Sequence, residues 1–188
     1  MYKKTALVII SLLIMLGCAQ NQQQEEKDAK EEKPSTVLFL NQLQQLCNTE
    51  LRGEVFADNH NPETVGSAMS FRFEQCTDEE VRIITQLPGE EIFTIIITLM
   101  DDELLLKHDV RDTHLSPHDI TMYGGFSDEK GNKRTQVFPV HNFGGQMWPG
   151  YENTFWEVCY MPQEGKFEYL EVAEDMVKRN FVAQTPNQ

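Results

Sequence analysis

The densest run of chemically capable side chains lies between Leu104 and Gly125, LLLKHDVRDTHLSPHDITMYGG. It holds His108, His114 and His118, three of the chain's five histidines, together with Asp109, Arg111, Asp112, Asp119 and Tyr123. Imidazoles and carboxylates in that number have the right atoms for Zn²⁺ or a transition metal. His108 with Asp109 and Arg111 has the composition of an acid–base hydrolase centre. The spacing supports neither. His114 and His118 flank Pro117 in a stretch that reads as a loop, so nothing brings them to one point. His108 and Asp109 are neighbours in a strand pattern, and neighbouring strand residues face opposite sides. The sequence contains no G-x-S-x-G, no H-E-x-x-H and no phosphate-cradling glycine loop. No catalytic residue, metal or cofactor is assigned on this basis. Alternation puts His108 on an inward face with Leu104, Leu106 and Val110, and Lys107, Asp109 and Arg111 on a charged outer stripe. An inward histidine more often completes a core hydrogen bond than holds a ligand. If the interior is hollow, His108 and Tyr123 become polar handles in an apolar pocket. The expected ligand-binding set is then His108, Asp109, Arg111, Tyr123 and Trp148. Tyr123-Gly124-Gly125 reads as a strand end entering a tight turn, where glycine supplies a positive φ.

The elements that must carry these residues are strands. Ser35 or Thr36 is placed to cap a short helix running to Leu46, with Leu38, Leu40, Leu43 and Leu46 at roughly helical spacing. Beyond it the hydrophobic period becomes two, as in Met69-Phe71-Phe73, Phe93-Ile95-Ile97-Leu99 and Trp156-Val158-Tyr160. Turn signals such as Leu87-Pro88-Gly89, Asp101-Asp102 and Gly131-Asn132 divide the runs. The pattern predicts about ten strands, near 52–58, 67–75, 80–86, 91–100, 103–110, 119–124, 133–139, 154–161, 166–172 and 177–183. Short connections imply antiparallel neighbours. The expected fold is mainly β: an antiparallel meander closed into a lipocalin-like up-and-down barrel, with one short N-terminal helix. A β-sandwich is the alternative. The longest gap between strands, residues 140–153, carries Phe143, Met147, Trp148 and Tyr151 among glycines. It reads either as a lid or contact site, or as a loop folded onto the barrel end.

Two further stretches carry resemblances. Tyr2-Lys3-Lys4 precedes an apolar run of 12 residues, Thr5 to Leu16, which is too short to span a bilayer. The run ends in Met15-Leu16-Gly17-Cys18, which resembles the lipobox of bacterial lipoproteins, although Met15 stands where Leu is usual. That resemblance implies cleavage before Cys18, lipid on Cys18, and anchoring in the cell envelope. Ala19 after the Cys points to the outer membrane by enteric sorting logic. Residues 1–17 are then a signal peptide, 18–34 a lipidated and disordered acidic tether of roughly 20 Å reach, 35–185 the barrel domain, and 186–188 a tail. In the domain, Leu106-Lys107-His108-Asp109, Arg111 and Thr121-Met122-Tyr123-Gly124-Gly125 resemble a family of uncharacterised bacterial secreted proteins. Leu43, Cys47, Met69-Ser70-Phe71-Arg72, Cys76, Val81-Arg82-Ile83 and Phe138-Pro139 share in that resemblance. The chain departs from the family pattern at Val110 and Asp112, where further histidines are usual. The resemblance implies a compartment and a shared fold, and no activity.

With Cys18 lipidated, Cys47, Cys76 and Cys159 remain. An oxidising compartment favours a disulfide. Cys47 and Cys76 sit at element ends, whereas Cys159 lies mid-strand and reads as a buried small hydrophobe. A Cys47–Cys76 bridge is expected, contributing about 3–4 kcal/mol by loop closure. The net charge of -14 excludes a nucleic-acid binder, which needs a basic face. Three functions remain open. The first is an envelope structural or interaction domain with a filled core, partnered by an envelope protein. The second is a barrel that holds a small apolar ligand, which a fully packed interior would rule out. The third is a metal-dependent or acid–base enzyme centred on His108.

Overall fold

The computed structural model describes residues 33–87, 93–111, 116–117, 119–141 and 152–185. Cys18, Asp112, His114, His118 and the aromatic residues 143–151, Trp148 included, lie outside the described residues. No helix among the described residues is long and apolar enough to cross a membrane.

One helix, α1 (Ser35–Gln44), is followed by ten strands. These are β1 (Glu50–Asp58), β2 (Ala68–Glu74), β3 (Glu80–Gln86), β4 (Phe93–Met100) and β5 (Glu103–Val110). They continue with β6 (Tyr123–Phe126), β7 (Thr135–Pro139), β8 (Thr154–Met161), β9 (Lys166–Ala173) and β10 (Met176–Gln184). Except for β6 and β7, each strand pairs antiparallel with its sequence neighbour, and β10 returns to β1, giving the order β6-β5-β4-β3-β2-β1-β10-β9-β8-β7. The outer strands β6 and β7 meet through Asp128 N to Val137 O at 2.9 Å and His141 N to Gly124 O at 2.8 Å. The meander is therefore a nearly closed, lipocalin-like barrel. Closing it hides the strand edges that an open sheet would present for aggregation.

Alternation builds the interior. Val81, Ile83 and Thr85 on β3, Ile95 and Ile97 on β4, Leu104, Leu106 and His108 on β5, and Trp156 and Val158 on β8 are all inward and fully or almost fully buried. The intervening residues of β3 and β8 are partly exposed, whereas Ile96 on β4 and Leu105 on β5 are buried as well. α1 buries Phe39, Leu40 and Leu43 and packs against β3, β4 and β7. Strands from both sides of the barrel touch it, so it plugs one end. Neither Ser35 nor Thr36 caps α1: the residue before it, Pro34, occupies the cap position. Thr36 instead donates its hydroxyl to Asp102 O of the β4–β5 turn at 2.7 Å, and Gln44 Nε2 donates to Thr77 O at 2.6 Å. Cys47 and Cys76 form the expected disulfide, with Cα atoms 6.0 Å apart, and fasten the chain after α1 to the end of β2. Cys159 is half-buried on the outer face of β8, where Thr135 Oγ1 donates to its sulfur, so it is not the buried hydrophobe expected.

Two hairpins use two-residue turns without glycine. Asp101 and Asp102 have φ 49° and 69°, and Glu174 and Asp175 have φ 52° and 59°. Left-handed φ at both positions is the geometry that matches strand twist and favours Asn-Gly. Replacing Glu174-Asp175 with Asn-Gly is expected to stabilise the barrel by about 1 kcal/mol. The readout is a higher urea midpoint with an unchanged slope.

β6 differs from its expected range of 119–124. Thr121 Oγ1 accepts Val110 N at 2.8 Å, and Met122 adopts φ 58°, so the chain turns before Tyr123. Gly124 and Gly125 are consequently inside the strand and carry no positive φ. The tight-turn reading of these glycines is corrected, and they serve close backbone approach instead.

Candidate functional site

The barrel interior is divided along its length. The half plugged by α1 is hydrocarbon: Leu43, Phe71, Phe73, Phe138, Phe167 and Phe181 are buried there, with Phe167 edge-on to Phe71 and Phe73 at 4.8 and 5.4 Å between centroids. The opposite half carries charge. Cross-strand register sets Asp58 on β1 beside Arg179 on β10, Arg179 beside Glu171 on β9, and Glu171 beside Trp156 on β8. Inside the barrel, one row thus reads carboxylate, guanidinium, carboxylate, indole.

β-Bulges aim part of this row. A register shift between Val55 and Ala57 reverses the face of the last residues of β1, which turns Asp58 inward. Asp58 is 1% exposed, and its Oδ1 accepts His60 N at 3.0 Å, Asn61 N at 3.1 Å and, at a long 3.4 Å, Arg179 Nε. Glu171, 2% exposed, meets His60 Nε2 at 3.1 Å. Burial pushes the Glu171 carboxyl up, but the His60 hydrogen bond and the Arg179 charge outweigh it and hold the carboxyl below its ordinary range. Burial works against the Arg179 charge too, and Glu171 and Asp58 more than offset it, so this guanidinium holds its proton more firmly than usual. Its carbon lies 5.9 Å from the centroid of Phe93.

His108 lies across the barrel from this row and is fully buried. Its Nε2 is 2.9 Å from Tyr169 Oη and its Nδ1 is 3.3 Å from Tyr123 O, so both ring nitrogens are engaged. Tyr123 stacks on it at 4.8 Å, and Trp156 tilts against it at 4.9 Å. Burial lowers its pKa to about 4, with Glu171 and the Tyr123 carbonyl opposing only part of that effect. The imidazole is neutral at neutral pH and serves as a hydrogen-bonding wall.

Of the residues expected to bind ligand, His108 and Tyr123 come together inside the barrel. Asp109 and Arg111 face outward, where Arg111 grips Asp109 through Nε and Nη2 at 2.8 and 2.7 Å and Thr121 Oγ1 donates to Asp109. Trp148 lies outside the described residues. Among the described residues no group of three His, Cys, Asp or Glu is placed to hold a metal ion. The residues that sequence reasoning missed are Asp58, Glu171 and Arg179. Two of them were visible as charges in phase with apolar inward positions: Glu171 with Phe167 and Tyr169, and Arg179 with Phe181.

Three buried oxygens at this end have no partner among the described residues: Asp58 Oδ2, Thr85 Oγ1 and Thr154 Oγ1. Thr85 and Thr154 are inward residues of β3 and β8. Unmade hydrogen bonds of buried groups are costly, at about 1–3 kcal/mol each, and call for an explanation. No protein-family model matches the chain, and no curated protein or solved structure matches it either.

Proposed function

We propose that this chain is a non-catalytic envelope lipoprotein, anchored by lipid on Cys18, whose barrel binds a small molecule at the end away from α1. The observation that carries the reading is the row Asp58, Arg179, Glu171 inside the barrel, walled by Trp156, Tyr123 and Phe93. Buried charges are expensive, and replacing them with packed hydrocarbon is often neutral or stabilising. A barrel already filled with phenylalanine at its other end gains no stability from them that hydrocarbon would not supply. The packed α1 half leaves no length for a long acyl chain, so a ligand of limited size suits the polar half. The outward Asp109–Arg111 pair is surface structure in this reading.

The test has two parts. Cys18→Ser is expected to move the full chain from the detergent phase to the aqueous phase on partitioning. The full chain, released from detergent in the spectrometer, is expected to carry a stoichiometric small mass that organic extraction removes. A bare chain mass from its native host would defeat the binding reading.

A second reading as an interaction domain rests on exposed apolar side chains. Phe56, Val65, Met176 and Val177 are 58, 49, 52 and 43% exposed. Gly66 N bonds Val55 O, and Asn59 Nδ2 bonds Val177 O, so these residues surround the start of β10 and the β1–β2 connection.

A further inference from the structure

Resting on the binding reading above, we propose that the polar end of the barrel recognises a free α-amino acid or a molecule with the same zwitterionic head. Its carboxylate would sit on Arg179 and its ammonium on Asp58 and Glu171.

The row itself sets the chemistry. Asp58, Arg179 and Glu171 occupy facing positions on three consecutive strands, so acceptor, donor and acceptor alternate across one rung. Facing side chains on neighbouring strands stand about 5 Å apart at Cβ. A zwitterionic head has opposite charges a few ångströms apart and can meet two adjacent groups of this row at once. A lone anion would meet Arg179 but face two carboxylates. A lone cation would meet the carboxylates but leave the guanidinium fork unused.

Unfilled hydrogen-bonding capacity points the same way. Among the described residues Arg179 makes one long bond, from Nε to Asp58. Its two Nη groups make none, on a side chain that is 18% exposed. A planar fork of donors is the natural partner of a carboxylate. Asp58 Oδ2 is buried without a donor and is placed to accept from an ammonium. Thr85 and Thr154 add two hydroxyls with open valences. Trp156 and Tyr123 pack against His108 and each other beside the row, and Arg179 lies over Phe93, so aromatic rings border the charged groups.

The experiment is calorimetric titration of the full chain in detergent micelles with single L-amino acids. Each is paired with the amine and the carboxylic acid that carry the same side chain. At least one amino acid should bind 1:1 and at least tenfold more tightly than either partial analogue. Arg179→Lys keeps the charge but not the fork, and should weaken the amino acid at least tenfold while leaving the amine unchanged. Glu171→Gln should weaken both the amino acid and the amine, with circular dichroism confirming that each variant is folded. Equal binding of an amino acid and its amine would overturn the zwitterion. Binding of every amino acid unchanged in both variants would overturn the site. If extraction of native protein yields a bound molecule without this head, the ligand class fails and the binding barrel stands. A bare chain that also gives no heat with any amino acid defeats both.

Discussion

Between pH 6.5 and pH 4 the barrel loses about 3 kcal/mol of stability through His108 alone. The direction follows from which state binds the proton first. In the unfolded chain the imidazole takes up a proton below its ordinary pKa of 6.5, whereas in the barrel burial holds that pKa near 4. Over this window the unfolded state therefore carries more protons, and stability falls as pH falls, by up to about 1.4 kcal/mol per pH unit for one group. The stabilising contribution is complete above pH 6.5 and exhausted below pH 4. Glu171 acts in the same direction at more acid pH. Its folded carboxyl is held below the ordinary 4.5, so the stability it lends is present above that value and is lost as it protonates. Glu171, Arg179 and the phenols of Tyr123 and Tyr169 are the ionisable groups acting on the imidazole or touching it. The measurement is urea unfolding at closely spaced pH values, wild type beside His108→Gln. Glutamine keeps a donor and an acceptor for Tyr169 and the Tyr123 carbonyl but does not titrate. Its stability should be lower at pH 7 and should decline more gently between pH 6.5 and pH 4, the difference in slope approaching one proton. Parallel curves would show that His108 is not held neutral by its burial.

The strands were legible because a half-buried strand writes itself as alternation. β3, β5 and β8 occupy the expected 80–86, 103–110 and 154–161. Apolar inward residues recur at every second position on these strands, as in Val81-Ile83, Leu104-Leu106 and Trp156-Val158-Tyr160. The Cys47–Cys76 bridge was legible for a different reason: both cysteines sit at element ends, whereas Cys159 lies mid-strand. The charged row was hidden for physical reasons that differ by residue. Asp58 is out of phase with Leu51 and Val55, and only the bulge after Val55 turns it inward. A bulge adds one residue to a strand and leaves little mark on hydropathy. Glu171 and Arg179 were in phase, but a single charged residue within a strand pattern carries no mark of its own that separates an inward charge from a solvated one. The Leu104–Gly125 cluster drew notice because its histidines are close in sequence. Closeness along a strand spreads alternate residues to opposite faces, which is why Asp109 and Arg111 went outside while His108 went in. The site is assembled from residues 58, 108, 171 and 179: strand pairing sets 58, 179 and 171 side by side, and barrel closure brings 108 to face them.

That closure makes Gly125→Ala the substitution with the largest expected effect on the fold. The chain turns back at the seam between β6 and β7, which is held by the two backbone hydrogen bonds from Asp128 to Val137 and from His141 to Gly124. A Cβ on Gly125 would lie 1.7 Å from Pro139 O, and one on Gly124 would lie 1.8 Å from Leu106 O. Successive residues of β6 are thus pressed by different neighbours, β5 against one and β7 against the next. The contacting atoms are backbone carbonyls, so no side-chain rotation relieves the overlap. Alanine at Gly125 must push β7 away from β6, breaking seam hydrogen bonds and exposing the buried face around Phe138. Overpacking commonly costs about 1–3 kcal/mol, and the forced opening of a seam takes this case to about 4 kcal/mol. Hydrogen exchange gives the decisive readout, because the damage is local before it is global. Amides of His141 and Asp128 should lose protection in Gly125→Ala under native conditions, while those of β2 and β3, on the far side of the barrel, keep theirs. Gly66→Ala is the control: its φ of 82° strains a side chain, but the nearest atom to its Cβ is 4.0 Å away, so it should cost less and leave the seam intact. Uniform loss of protection in both variants would mean that β6 and β7 do not close the barrel. The row of Asp58, Arg179 and Glu171 would then lie on an open sheet rather than within an enclosed site.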